Sequence, residues 1–382
     1  MIKAHPKFRV PTMRRSSRVY LNDLNTTKTQ EVVLFLLLGH DVTQYFIDLF
    51  WQRKDFSATL ADLDTVHRGC DRFGIAARLA QACAKQAKET IRSSRKRAKF
   101  MTKHPHKPNL HQHTMTLYSH FVKIEPFENA PGTNAKFDWA IKLGGSGAPK
   151  MIIPCKSTEH LNRKLGAGWT LGNSIRLGYD CSGKTKRLFV DFLLEKPRPA
   201  IREKGEVLGL DSNYKNGLVT SDGQFIGKEV YDRIQEFSKR QKHTKAEAKS
   251  MMFHALKGLD FKGVQVLAIE DLKNVKSGTR GKFPRRFNRR LSHWFYGTYS
   301  TWLEQRCEEL GIRLERKDPW KTSQRCPKCG KWDKRSRKGD VFKCVFCGHS
   351  DHADLNAAKN IRDLALAGIY GFRLLPSSMP KS

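Results

Sequence analysis

Two short turns constrain this chain more than any other feature of its sequence. Cys326-Pro327-Lys328-Cys329-Gly330 and Cys344-Val345-Phe346-Cys347-Gly348 each carry two cysteines three positions apart, with glycine behind the second. Four thiolates delivered by two tight turns make a tetrahedral set suited to one Zn²⁺. Glycine after the second cysteine lets each turn close, since it alone enters the left-handed region freely. Four protein ligands fill the shell, so the expected zinc is structural, in a ribbon spanning residues 321–350. His349 and His352 lie close by and read as surface residues, not ligands.

Two apolar runs end on carboxylates. Val207-Leu208-Gly209-Leu210 leads to Asp211, and Val264 to Ile269 leads to Glu270. Runs apolar on both faces suit strands of a parallel sheet covered on both sides. The same property leaves Glu270 and Asp271 undistinguished, because strand parity favours neither. A third acid, Asp351 or Asp354, opens a helix over Ala353 to Ala365, where it could equally serve as a cap or a first-turn acid. Clustered carboxylates repel one another unless cations lie between them. Hard oxygen ligands beside phosphate suit Mg²⁺. Two such ions about 4 Å apart support phosphodiester hydrolysis.

The partner class follows from charge. The 382 residues hold 71 Lys and Arg against 37 Asp and Glu, a formal net charge of +34. Such an excess calls for a polyanion, and nucleic acid is the first to consider. A membrane partner is not expected, because the longest apolar run, Val32 to Leu38, falls far short of the roughly 20 residues that span a bilayer. Met1 to Val10 is basic and polar and does not read as a secretory signal. Cys70, Cys83, Cys155, Cys181 and Cys307 are scattered and suggest no disulfide framework, so an intracellular, cytoplasmic protein is expected.

The length predicts two or three domains. Residues 1–24 read as extended and basic. A helical region follows over 25–112, with a capping box at Thr27 and Gln30 ahead of Val32 to Leu38. It ends in a basic stretch, Ile91 to Lys107, expected to meet phosphates. Residues 113–204 carry short strand patterns, including Phe137 to Leu143, between glycine-rich turns, which predicts a small antiparallel barrel. Residues 205–382 return to longer buried strands and helices. Arg285 to Trp302 mixes basic and aromatic residues, its aromatics expected on a buried helix face.

The order of motifs in this last region resembles the TnpB family, transposon-encoded RNA-guided nucleases related to the type V CRISPR effectors. The motifs are Gly-Leu-Asp211, Ile-Glu270-Asp-Leu-Lys, Thr322-Ser323-Gln324 before the first knuckle, and Asp354-Leu355-Asn356-Ala357-Ala358-Lys359-Asn360-Ile361. The resemblance covers roughly residues 205–365; the N-terminal half matches in layout only. It implies a multidomain α/β protein: an RNase H-like RuvC nuclease domain with an inserted zinc ribbon, and an N-terminal antiparallel β-barrel, the wedge, interrupted by a helical recognition lobe. It implies Asp211, Glu270 and Asp354 as catalytic ligands of two Mg²⁺ ions, choosing Glu270 over Asp271 and Asp354 over Asp351. It further implies Cys326, Cys329, Cys344 and Cys347 on one Zn²⁺, and as partners a guide RNA, one protein chain per guide, and double-stranded target DNA in a prokaryotic cytoplasm. The family usually has glycine two residues after the first aspartate. Here that position is Asn213, the non-glycine residue that best tolerates left-handed backbone. The stretch between the first two carboxylates also looks short for the family. A guide-dependent repressor without cleavage and an unguided structure-selective nuclease or transposase are the alternatives.

Overall fold

The structure is a computed structural model and describes residues 11–100, 103–129, 137–145, 147–180, 187–213, 215–233, 245–272 and 296–370. The chain divides into two compact units, Met1–Pro197 and Arg198–Ser382.

In the first unit a four-stranded antiparallel sheet has the order β1 (Thr12–Tyr20), β7 (Arg187–Pro197), β6 (Thr170–Asp180), β2 (His113–Leu117). A second antiparallel sheet joins β3 (Val122–Pro126), β4 (Trp139–Leu143) and β5 (Met151–Cys155). Three helices, α1 (Thr26–Gln52), α2 (Leu63–Phe73) and α3 (Ala77–Phe100), fall between β1 and β2, and α4 (Glu159–Gly166) precedes β6. Helices and sheets share one apolar core, which includes Phe35 and Phe46 from α1, Leu117, Ile141 and Phe192.

Helix α1 differs from expectation at its start. Asn25 is the N-cap, and its side chain accepts the amide of Lys28. Asparagine is among the strongest caps, so the helix begins two residues before a capping box at Thr27 would start it. It runs on through Gly39, where a Cβ would lie 2.1 Å from the sulfur of Met115. By length and composition α1 could cross a membrane, yet nine of its residues, Val32 and Phe50 among them, are buried. The basic end of α3 keeps Ile91 in the core, exposes Arg92 and leaves Arg95 half-buried over the ring of Phe56.

The second unit is built on a five-stranded sheet of order β10 (Phe225–Ile226), β9 (Gly217–Thr220), β8 (Glu206–Asn213), β11 (Val264–Glu270), β12 (Arg313–Lys317). Strands β8, β11 and β12 are parallel, while β9 runs antiparallel to β8. One apolar cluster joins Leu208, Leu210, Leu267 and Ile269 to Leu256 of α5 (Lys245–Leu256) and to Tyr299 and Leu303 of α6 (Tyr296–Leu310). Another joins Ala268 to Ile361 and Ala365 of α7 (Ala353–Tyr370). Cover on both faces is why the strands are apolar throughout. Of the segment Arg285 to Trp302, the part before Tyr296 lies outside the described residues, as does Cys181. Tyr299 is buried, and Trp302 packs against that same cluster.

Candidate active site and metal centre

Strand geometry assembles the carboxylates. Leu210 pairs with Ile269 in parallel register, so Asp211 and Glu270 leave neighbouring strands at the same end of the sheet. Asp354 lies in the first turn of α7, which packs on β8. The approach depends on Gly209: a Cβ there would lie 2.1 Å from the carbonyl oxygen of Ala358 and 2.6 Å from the nitrogen of Arg362. Glycine two residues before Asp211 therefore lets the α7 backbone rest on the strand.

All three acids are buried: Asp211 is 7% exposed, Glu270 8% and Asp354 1%. Burial, followed by the charges of Glu270 and Asp354, pushes the Asp211 carboxyl well above its ordinary range. Burial also raises Glu270, against the Thr322 hydrogen bond and the charge of Arg337. Asp351 faces a different set of groups, since its carboxylate accepts from Lys359 Nζ at 2.6 Å. The backbone N–H of Asp271 donates to the Lys317 carbonyl, continuing the sheet beyond Glu270.

Asp354 and Glu270 are each held by hydrogen bonds from side chains outside their own elements. Asn213 Nδ2 donates to Asp354 Oδ1 at 2.8 Å, and Asn216 Nδ2 to Oδ2 at 2.7 Å. Arg337 Nη2 also reaches Oδ1, at 3.2 Å. Thr322 Oγ1 donates to Glu270 Oε1 at 2.7 Å. Asn360 Nδ2 in turn reaches the carbonyls of Thr322 and Arg325, and Asn356 Nδ2 reaches Arg325. Asn356 and Asn360 are four apart on α7, one helical turn, and grip the same loop. The role expected of Asn213 is corrected here. It ends β8 in extended backbone and does not enter the left-handed region; its side chain, not its backbone tolerance, explains it.

The four cysteines converge. Their sulfurs all lie within 4.8 Å of one another, with Cys326–Cys347 and Cys329–Cys344 both at 3.6 Å. Sulfurs about 2.3 Å from a central zinc would be about 3.8 Å apart, so the set fits that ion. Gly330 and Gly348 both have φ of 73°, and their amides donate to Cys326 and Cys344. Among the described residues, this is the only group of three or more His, Cys, Asp or Glu brought so close. Around it lies a small core of Phe342, Cys326, Cys344 and Ala353. His349 and His352 stand outside the sulfur set, and His352 Nδ1 accepts the backbone N–H of Asp354 at 3.2 Å.

The sequence of this region can be set beside known proteins. Residues 296–361 match the family model described as Cas12f1-like, TNB domain. The chain is 38% identical over 100 residues to the CRISPR-associated endodeoxyribonuclease Cas12f1 of Sulfoacidibacillus thermotolerans, covering 26% of this chain and 22% of that protein. It is 27% identical over 200 residues to a TnpB-like protein of Aquifex aeolicus (strain VF5), covering 49% of this chain and 56% of that one. Over these stretches the chain is similar to both TnpB-like and Cas12f1 proteins. A TnpB-like protein of Methanocaldococcus jannaschii is also similar, at 29% identity over 96 residues, or 34% of its length. The chain spans no more than about half the length of these TnpB and Cas12f1 relatives. The fold also matches the protein in a cryo-EM structure of a Cas12f1–sgRNA–target DNA complex. The TM-score is 0.55 at 14% identity, covering 92% of this chain and 99% of that one. This chain has a mixed α/β architecture with several sheets and a four-cysteine cluster.

Proposed function

We propose that this chain is an RNA-guided DNA endonuclease, with Asp211, Glu270 and Asp354 as its catalytic carboxylates. The observation that carries the reading is the burial of these three acids, two on adjacent parallel strands and one at a helix start, near enough for Glu270 and Asp354 to raise the Asp211 carboxyl. Burial there costs stability unless a cation shares the site. Their oxygens would hold two Mg²⁺ ions, which supply charge neutralisation and an activated water. The chain's own contribution is positional. Asn213 and Asn216 fix both oxygens of Asp354, Thr322 orients Glu270, and Arg337 offsets negative charge.

On this reading the second unit is an RNase H-like domain of the RuvC type. The sheet order, with three parallel strands and an antiparallel hairpin on β8, supports it. The ribbon's zinc is structural. The two antiparallel sheets of the first unit act as the wedge, and helices α1–α3 as a recognition lobe. The relative whose complex contains sgRNA and target DNA supports guide RNA and DNA as partners.

The test is purification from cells carrying the native flanking DNA, followed by sequencing of co-purifying RNA. The complex is then offered plasmid targets with randomised flanks in Mg²⁺. We expect a defined RNA, linearised plasmid, and a loss of roughly 10³-fold or more in Asp211→Asn. Absence of bound RNA removes the guided reading. Bound RNA without cleavage favours a guided repressor.

A further inference from the structure

One dipeptide beside the carboxylates carries a chemistry that phosphodiester hydrolysis does not use. Asn216-Gly217 is the single Asn-Gly in the sequence, and every other asparagine is followed by a residue with a side chain. Before glycine, an asparagine side chain is most open to attack by the next backbone nitrogen, because no Cβ shields that nitrogen or restricts its approach.

The fold requires both residues. Asn216 is 4% exposed, and its Nδ2 donates to Asp354 Oδ2 at 2.7 Å. Gly217 has φ 71°, and a Cβ there would lie 2.2 Å from the carbonyl oxygen of Ile226. An L side chain at 217 is excluded both by conformation and by space. The turn is also short: strands β8 and β9 close on the pair Asn213–Gly217, which leaves residues 214–216 between them. Asp354 thus fixes one side of the labile bond and the sheet fixes the other. Neither residue can be exchanged for a more durable one without disturbing its partner.

We propose that Asn216 is a deamidation site whose conversion is an irreversible off-switch for the carboxylate cluster. The Gly217 nitrogen attacks the side-chain carbonyl carbon of Asn216 and gives up its proton. The new C–N bond closes a succinimide ring, and the side-chain nitrogen leaves as ammonia. Water then adds to either ring carbonyl and opens a ring C–N bond, leaving aspartate or isoaspartate. The balance is amide plus water to acid plus ammonia, with no oxidant or reductant.

Either product undoes the site. Aspartate sets a carboxylate where an amide N–H donated to Asp354, so attraction becomes repulsion. Isoaspartate adds a methylene to the main chain inside the short turn and disturbs the β8–β9 register. The hydrogen bond to Asp354 sets the pace, since the ring cannot close until Nδ2 leaves Oδ2 and the amide turns toward Gly217. A cation among the acids steadies Asp354; without one the acids repel one another. The conversion itself does not rest on the nuclease reading, whereas its dependence on Mg²⁺ and its effect on cleavage do.

The experiment incubates the full, zinc-loaded chain well below its thermal midpoint, with and without Mg²⁺, beside a urea-unfolded sample. Peptide mass spectrometry reads amide-to-acid conversion at every asparagine, and an isoaspartate methyltransferase assay reads the iso form. In the folded, Mg²⁺-free chain Asn216 is expected to convert faster than every other asparagine, more slowly than in urea, and more slowly still with Mg²⁺. Asp354→Ala removes the hold and speeds conversion at Asn216 about tenfold, the worth of a hydrogen bond to a charged group. Asn173, before Ser174 in the first unit, keeps its rate in that variant. Asn216→Gln, whose longer side chain closes a ring far less readily, shows no conversion. Asn216→Asp installs the product directly; it lowers the Mg²⁺-free thermal midpoint by about 3–6 °C and cleavage by about a hundredfold. The proposal is overturned if the folded chain keeps Asn216 intact while the unfolded chain converts, or if Asn216→Asp leaves the midpoint unchanged. It is equally overturned if Asp354→Ala speeds all asparagines alike, which marks global unfolding, or if fully converted protein still cuts like fresh protein. A wild type that converts at Asn216 but never cuts DNA supports the deamidation site and counts against the nuclease reading alone.

Discussion

The hydroxyl of Thr322 gives a buried Glu270 a neutral partner on one of its oxygens. Thr322→Val keeps the branched shape and removes the donor. We expect about a tenfold fall in kcat, consistent with losing one hydrogen bond to a charged group, with zinc content and thermal midpoint near wild type and rescue by Thr322→Ser. Asp211 makes the opposite kind of statement. Burial and then the charges of Glu270 and Asp354 raise its carboxyl, so the folded chain binds a proton there more readily than the unfolded chain. Its ionised form therefore destabilises the Mg²⁺-free fold increasingly as pH rises from about 4 through the raised value. Asp211→Asn should raise the Mg²⁺-free thermal midpoint at pH 7.5 by about 2–4 °C and by less at pH 4.5, as followed by calorimetry. The sequence offered the acids as candidates and Thr322 and Asn213 within motifs, but not the hydrogen bonds these residues make. Asn213 and Asn216 stand 141 and 138 residues from Asp354, and a polar side chain's partner at that range leaves no periodic trace. Arg337 was hidden for another reason: it is one basic residue among many in the ribbon.

Strands β8 and β11 were legible because each carries a largely apolar run that leads to a carboxylate. The ribbon strands were not. Strand β13 (Arg337–Lys338) is two residues long, too short to carry a hydrophobic pattern. Helix α4 was missed too, although Thr158 caps it, because eight residues carry too little periodicity to read. The packing of α7 on β8 hangs on Gly209. Gly209→Ala puts a methyl group into the backbone of α7, and the helix must lift, taking Asp354 with it. We expect a loss of about 3 kcal/mol in denaturant unfolding and no detectable cleavage. Gly223→Ala is the control: φ is 99°, but no atom lies within 4 Å of its Cβ, so it costs about 1 kcal/mol of backbone strain without displacing α7.

At the scale of the whole molecule the dominant quantity is the net charge of +34. Each phosphate neutralised releases condensed counterions, so affinity falls steeply with salt. Non-specific duplex affinity should drop about a thousandfold between 50 and 200 mM KCl, measured by anisotropy; a drop under tenfold would mean that few of these cations meet the backbone. Composition made the partner class legible, but it could not say which surfaces carry the charge. The position of the ribbon has one more consequence. Residues 326–347 are synthesised after Asp211 and Glu270 and before Asp354, and the helix carrying Asp354 grips the ribbon's entrance through Asn356 and Asn360. On the proposed reading a newly made chain holds only two of its three acids in place until the cysteines have captured their metal. A cell starved of zinc would then accumulate full-length protein that cannot cut, which makes zinc supply a licence for the nuclease's own activity.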